Sequence, residues 1–129
     1  MGTGSGRAPI TALRGGHRLD DNIADLKARF PTTSKGYFGN PGQGRKHTRN
    51  IESDNPARTA AEFAGIASKC PVSAIPIEGK GMMYGMRDGS VVSHRYTSSS
   101  KDGSPVVELK VKSASGIKSQ KIHFVKKGK

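Results

Sequence analysis

The sequence predicts an α+β domain: two N-terminal helices packed on an antiparallel meander sheet of about four to five strands. Three observations carry that expectation. Apolar residues recur at helical period through residues 19–30 and again from residue 56, then alternate at period two from residue 75 onward. Turn-forming residues at Asp88-Gly89 and Lys101-Asp-Gly-Ser-Pro105 cut the second half into strand-length pieces. With 129 residues, 33% of them hydrophobic, the chain can bury one modest core. Residues 19–129 are therefore read as a single domain, and residues 1–18 as a flexible linker rich in Gly with scattered Arg. The start Met1-Gly-Thr-Gly-Ser-Gly lacks the apolar stretch of a signal peptide and reads as a linker or the cut edge of a longer protein.

In the first helix, Leu19, Ile23, Leu26 and Phe30 fall on one stripe, Asp20 or Asp21 can cap it, and Asp25 with Arg29 makes an i, i+4 pair. Pro31 ends it by forcing Phe30 out of the α region. Residues 32–53 read as loop, with Tyr37 and Phe38 folding back as anchors. Within that loop Arg45, Lys46, His47 and Arg49 form a basic knot: either a phosphate grip or a solvated charge run. Asn55-Pro56 opens the second helix, with Asn at the cap and Pro where a missing N–H costs nothing. Ala60, Phe63, Ala64 and Ala67 line its inner side, Gly65 weakens its middle, and Pro71 stops it. Cys70, at a helix end that disfavours a thiolate, reads as a small buried residue.

Ile75-Pro-Ile77 suits a sheet edge, because Pro76 cannot donate to a ladder. Met82, Tyr84 and Met86 alternate into Asp88-Gly89, a type I′ hairpin signal. In the returning strand Arg95 and Thr97 share one face while His94 joins Val92 and Tyr96 on the other. Beyond the next turn Val107, Leu109 and Val111 oppose Glu108, Lys110 and Lys112. In the last strand Ile122 and Phe124 oppose Lys121, His123 and Val125. One face thus suits the helices, and the other collects charge.

Lys and Arg number 22 against 10 Asp and Glu, a formal charge of +12 that draws polyanions to the surface. The single cysteine rules out an intrachain disulfide and a Cys-based zinc site, and suits a reducing compartment. No apolar run approaches the ~18 residues that span a bilayer. No His/Asp/Glu spacing resembles a metal site, no Gly-x-Ser-x-Gly elbow is present, and the glycines at 36–44 lack the closing Gly-Lys-Ser/Thr of a phosphate loop. No cofactor and no metal are therefore expected.

What the charged face does offer suits RNA cleavage. That reaction needs a group to take the 2′-OH proton, a group to protonate the leaving 5′-oxygen, and fixed cations beside the phosphate. Imidazole suits the proton roles. Candidate catalytic groups are His123, Arg95, His94, Thr97, Ser98 and Ser100; candidate RNA-binding groups are Lys110, Lys121, Arg45, Lys46, His47 and Arg49. His94 belongs with Arg95 only if a bulge breaks the strand's parity; otherwise it is a half-buried core histidine. His17, in the linker, carries no role.

Three segments, Asp88-Gly-Ser-Val-Val-Ser-His-Arg95, Ser98-Ser-Ser-Lys-Asp-Gly-Ser-Pro-Val-Val-Glu108 and Gly116-Ile-Lys-Ser-Gln-Lys-Ile-His-Phe124, resemble the C-terminal toxin domains of bacterial polymorphic toxins. Those domains are carried by contact-dependent inhibition, Rhs or LXG-type delivery proteins. The helix Asp54-Asn-Pro-Ala-Arg-Thr-Ala-Ala-Glu-Phe63 fits the same group, and the likeness covers residues 50–125. Such domains are similar to the barnase–EndoU–colicin–RelE-like ribonuclease superfamily. The resemblance implies a metal-independent endoribonuclease acting on RNA, often tRNA, and leaving a 2′,3′-cyclic phosphate. It also implies a monomer with an acidic cognate immunity protein, delivered within a larger bacterial protein and acting in the target-cell cytoplasm. Position by position it points to Arg95, Ser98, Ser100 and His123, and leaves the general base open among His94, His47 and His123. The rival expectations are a non-catalytic basic nucleic-acid-binding module and a metal-dependent DNase toxin.

Overall fold

The fold is α+β, but helix and strand alternate differently from the expected order. A computed structural model describes residues 16–42, 47–97, 103–112 and 116–127. Helix α1 is Leu19–Arg29, followed by β1 (Asn40–Pro41), β2 (Thr48–Ser53) and helix α2 (Pro56–Ala67). Then come β3 (Ser73–Ile77), β4 (Gly81–Gly85), β5 (Val91–Arg95), β6 (Val106–Lys110) and β7 (Gln120–Lys126). Among the described residues these strands make one seven-stranded sheet in the order β1-β2-β7-β6-β5-β4-β3. Strands β3 to β7 form the antiparallel meander, with β3 at the edge as Pro76 requires. Strand β2 pairs with β7 in parallel, so the sheet is mixed and α2 lies between strands rather than ahead of them all.

Strand β2 replaces a stretch expected to be loop. Its sequence, Thr-Arg-Asn-Ile-Glu-Ser, holds one aliphatic residue, and Arg49 stands on the helix-side face where an apolar residue would signal a strand. Arg49 is only 5% exposed. Its Nε donates to the Phe38 carbonyl and its Nη2 to the Gly39 carbonyl, both at 2.9 Å, and its guanidinium lies 4.9 Å from the Tyr37 ring centre. The expected phosphate grip is therefore corrected: Arg49 holds the 37–39 loop against the sheet. Gln120 on β7 fastens the same loop, accepting from the Phe38 N–H at 2.7 Å and donating to the Gly36 carbonyl at 3.0 Å. Tyr37 and Phe38 are buried anchors, as expected.

The core lies between α1, α2 and one face of the sheet. Phe63 on α2 is fully buried, with ring centres of Phe30 and Phe38 at 5.0 Å and of Phe124 at 5.6 Å. Leu19, Ile23 and Leu26 of α1 and Val92, Val107, Leu109 and Ile122 of the sheet complete it. Helix α2 begins as its sequence dictates, with the Asn55 side chain accepting from the Arg58 N–H and Pro56 at its start. Helix α1 begins at Leu19, so Asp21 works from inside the first turn, accepting from the Arg18 N–H at 2.9 Å and pairing with its guanidinium. The bonds from Arg18 hold the Asp21 carboxyl below its usual range. Phe30 is extended before Pro31, and Arg29 pairs with Glu62 across the helices rather than with Asp25.

Two further expectations change. Cys70 is exposed, not buried, and has a φ of 54° where the chain leaves α2. The β4–β5 connection is a type I turn with a bulge, not a type I′ turn: Gly89 donates to Met86, Met86 donates to Ser90, and of Asp88 and Gly89 only the glycine has positive φ. His17 and Arg18 are bonded into the domain. The His17 N–H donates to the Cys70 carbonyl at 2.6 Å, and the His17 ring bonds Asn22 at 2.8 Å. Asn22, only 2% exposed, in turn donates to the Ala67 and Lys69 carbonyls at the end of α2.

Candidate active site

Side chains alternate across a strand, so the register alone sorts the residues by face. On the face away from the helices, Asn50, His123, Val106 and Arg95 stand side by side across β2, β7, β6 and β5. Thr48, Lys121, Glu108 and Ser93 form the next row. Strands lie about 4.8 Å apart, so the backbones at His123 and Arg95 are about 10 Å apart, with Val106 between them. Val106 is 1% exposed and gives the pair an apolar floor. Arg95 is exposed, whereas His123 is half-buried with its Nδ1 3.4 Å from the Ser104 hydroxyl, itself 7% exposed. Thr97 is exposed two residues beyond Arg95. Ser98, Ser100, Arg45 and Lys46 lie outside the described residues.

His94 is on the other face. Strand β5 pairs residue by residue with β4 and β6 from Val91 to Arg95, and no bulge swings the ring across. It stands between Met82 and Val107 in register and meets the Tyr96 ring perpendicularly at 5.1 Å. Burial holds its pKa below the ordinary histidine value. His94 therefore leaves the group that includes Arg95 and His123, and the half-buried alternative stands.

His47 lies just ahead of β2, exposed, with its Nδ1 3.1 Å from the Tyr37 hydroxyl and 3.2 Å from the Ser119 carbonyl. A carbonyl only accepts, so that second bond requires a hydrogen on Nδ1. A depression of about 270 Å³ adjoins the ring, lined also by Thr48, Glu108, Lys110, Ser119 and Lys121. Lys110 and Lys121 thus line one hollow beside the His123–Arg95 row. The sequence missed Asn50 and Glu52 on this face because it missed β2; the alternation of Thr48, Asn50 and Glu52 against Arg49, Ile51 and Ser53 was the available signal. Glu52 lies two residues along the strand from Asn50, the neighbour of His123. Glu108 lies on the diagonal from His123, about 7–8 Å away.

Such a face combines a titratable ring, two nearby carboxylates and fixed cations over a dry floor. Among the described residues no group of three or more His, Cys, Asp or Glu side chains is placed to hold a metal ion, and no helix is long and apolar enough to cross a membrane. No family model, curated protein or solved structure matches the chain.

Proposed function

We propose that this protein is a metal-independent endoribonuclease, the toxin domain of a bacterial polymorphic toxin, cutting RNA by attack of its own 2′-OH. One observation carries the reading: His123 and Arg95 flank Val106 in a single cross-strand row on the face away from α1 and α2. A phosphodiester set between them meets an imidazole on one side and a guanidinium on the other. The 2′-oxygen bonds to phosphorus as it loses its proton, the P–O5′ bond breaks, and the 5′-oxygen takes a proton. His123 carries one of those protons, and Glu52 or Glu108, on the same face, carries the other. Arg95 balances the charge that builds on the phosphate oxygens. Lys110, Lys121 and His47 hold the neighbouring phosphates. The products are a 2′,3′-cyclic phosphate and a 5′-hydroxyl.

By resemblance the substrate is tRNA. The toxin acts as a monomer in the target-cell cytoplasm after delivery within a larger protein, and an acidic immunity protein covers this face. The test is brief expression in bacteria with sequencing of RNA ends, alongside purified protein assayed with and without EDTA. New cyclic-phosphate ends, unaffected by EDTA, are expected. His123→Ala should lower the rate at least about 100-fold with the far-UV circular dichroism unchanged. Wild-type RNA binding without new ends would favour the non-catalytic module, and EDTA-sensitive DNA cleavage the metal-dependent DNase.

A further inference from the structure

At the end of the sheet, on the side of the helices, lies a second hollow, of about 360 Å³. Pro56 and Ala57 from the first turn of α2, Tyr96 from the exit of β5, Pro105 just ahead of β6 and Phe124 from β7 give it apolar walls. Ser104 also lines it, and Ser104 is the residue whose hydroxyl lies 3.4 Å from His123. Ser104 therefore links the hollow, across the end of the sheet, to the face that carries His123.

Tyr96 is 52% exposed while lining an apolar hollow. The perpendicular contact with His94 fixes its direction while half its surface stays in solvent. Two donors complete the walls. Asn55 uses its side-chain oxygen to cap α2, which leaves its amide N–H groups for a ligand. Lys126 donates one hydrogen to the Asp54 carbonyl at 2.8 Å and has two more. A fixed aromatic wall, flat proline sides and donors at the rim match an unstacked nucleobase, whose faces are apolar and whose edges carry acceptors.

We propose that this hollow binds the base of the nucleotide flanking the scissile phosphate in single-stranded RNA, with Tyr96 as the stacking wall. The proposal rests on the ribonuclease reading of the adjoining face. It makes the enzyme selective for unpaired RNA, since a base held in a duplex must first be unpaired and unstacked, which costs free energy.

The full chain is tested on short single-stranded RNAs varied on each side of the cleavage point, with their duplexes as comparison. Tyr96→Ala should raise KM about tenfold or more and flatten the base preference, with little change in kcat, while Tyr96→Phe keeps wild-type behaviour. Ala57→Trp introduces a large ring into the hollow from an exposed position of α2, and should act like Tyr96→Ala. Unchanged KM and base preference in both Tyr96→Ala and Ala57→Trp would overturn the subsite and leave the nuclease standing. The same holds if duplex and single strand are cut equally well. A wild-type protein that cleaves no RNA overturns the ribonuclease reading and this proposal together.

Discussion

Four histidines carry the same imidazole into four different settings. His17 ties the chain ahead of α1 to Asn22 and the end of α2, and His47 is held by Tyr37 and Ser119. His123 shares a face with Arg95, while His94 lies on the helix side among Met82, Val107 and Tyr96. The last setting has a measurable consequence. Burial lowers the pKa of His94 in the folded state, so as pH falls the unfolded chain takes up the proton first. Its contribution to stability is complete above the unfolded value of about 6.5 and declines as pH drops from there toward the folded value. Melting temperatures between pH 7 and 5 should therefore fall more steeply for the wild type than for His94→Phe. Equal slopes would mean that the ring is not held neutral. Parity alone separated Arg95 from His94 in the sequence. No parity argument could reveal Arg49, because a charged residue aimed inward at loop carbonyls looks like one aimed at solvent.

Helix α2 is the element that the sequence described most fully, and the reason is local chemistry. A capping Asn, a Pro at the first position and a four-residue apolar stripe all act within one turn or two of themselves. Gly65 is the exception in that helix, exposed and with nothing near the position where a Cβ would stand. Gly65→Ala should therefore stabilise the protein by about 0.5–1 kcal/mol, read as a higher urea midpoint with unchanged slope. A lower midpoint would show that the glycine is needed for backbone reasons that the helix does not reveal. Strand β2 is the opposite case. It pairs with β7 from the far side of α2 and the whole meander. Within its own six residues the only signal is an alternation that Arg49 hides by standing where an apolar residue would. The hairpin at Asp88-Gly89 falls between: its position was legible, but the turn type depends on the bulge at Gly89 that the two-residue signal does not encode.

At the scale of the molecule, a formal charge of +12 is compatible with two different surfaces. Spread evenly, it gives weak attraction to any polyanion; gathered on one face, it gives a track for an RNA strand. The sequence delivered the sum, and the register delivers the distribution, with Arg95, Lys110 and Lys121 exposed on the face away from the helices. Salt dependence separates the two. Each phosphate neutralised on a single strand releases counterions and contributes about −0.7 to the slope of log affinity against log salt. Three contacts from Arg95, Lys110 and Lys121 predict a slope of about −2 for a non-cleavable single-stranded oligonucleotide. Lys121→Ala should make that slope shallower by about 0.7, because one phosphate contact is lost. Lys27, exposed in the last turn of α1, removes the same charge when changed to Ala but lies on a helix remote from the track. Lys27→Ala should leave the slope unchanged. Equal effects from the two substitutions would mean that the charge acts as a diffuse cloud, and the sheet face would then have no special claim on the strand.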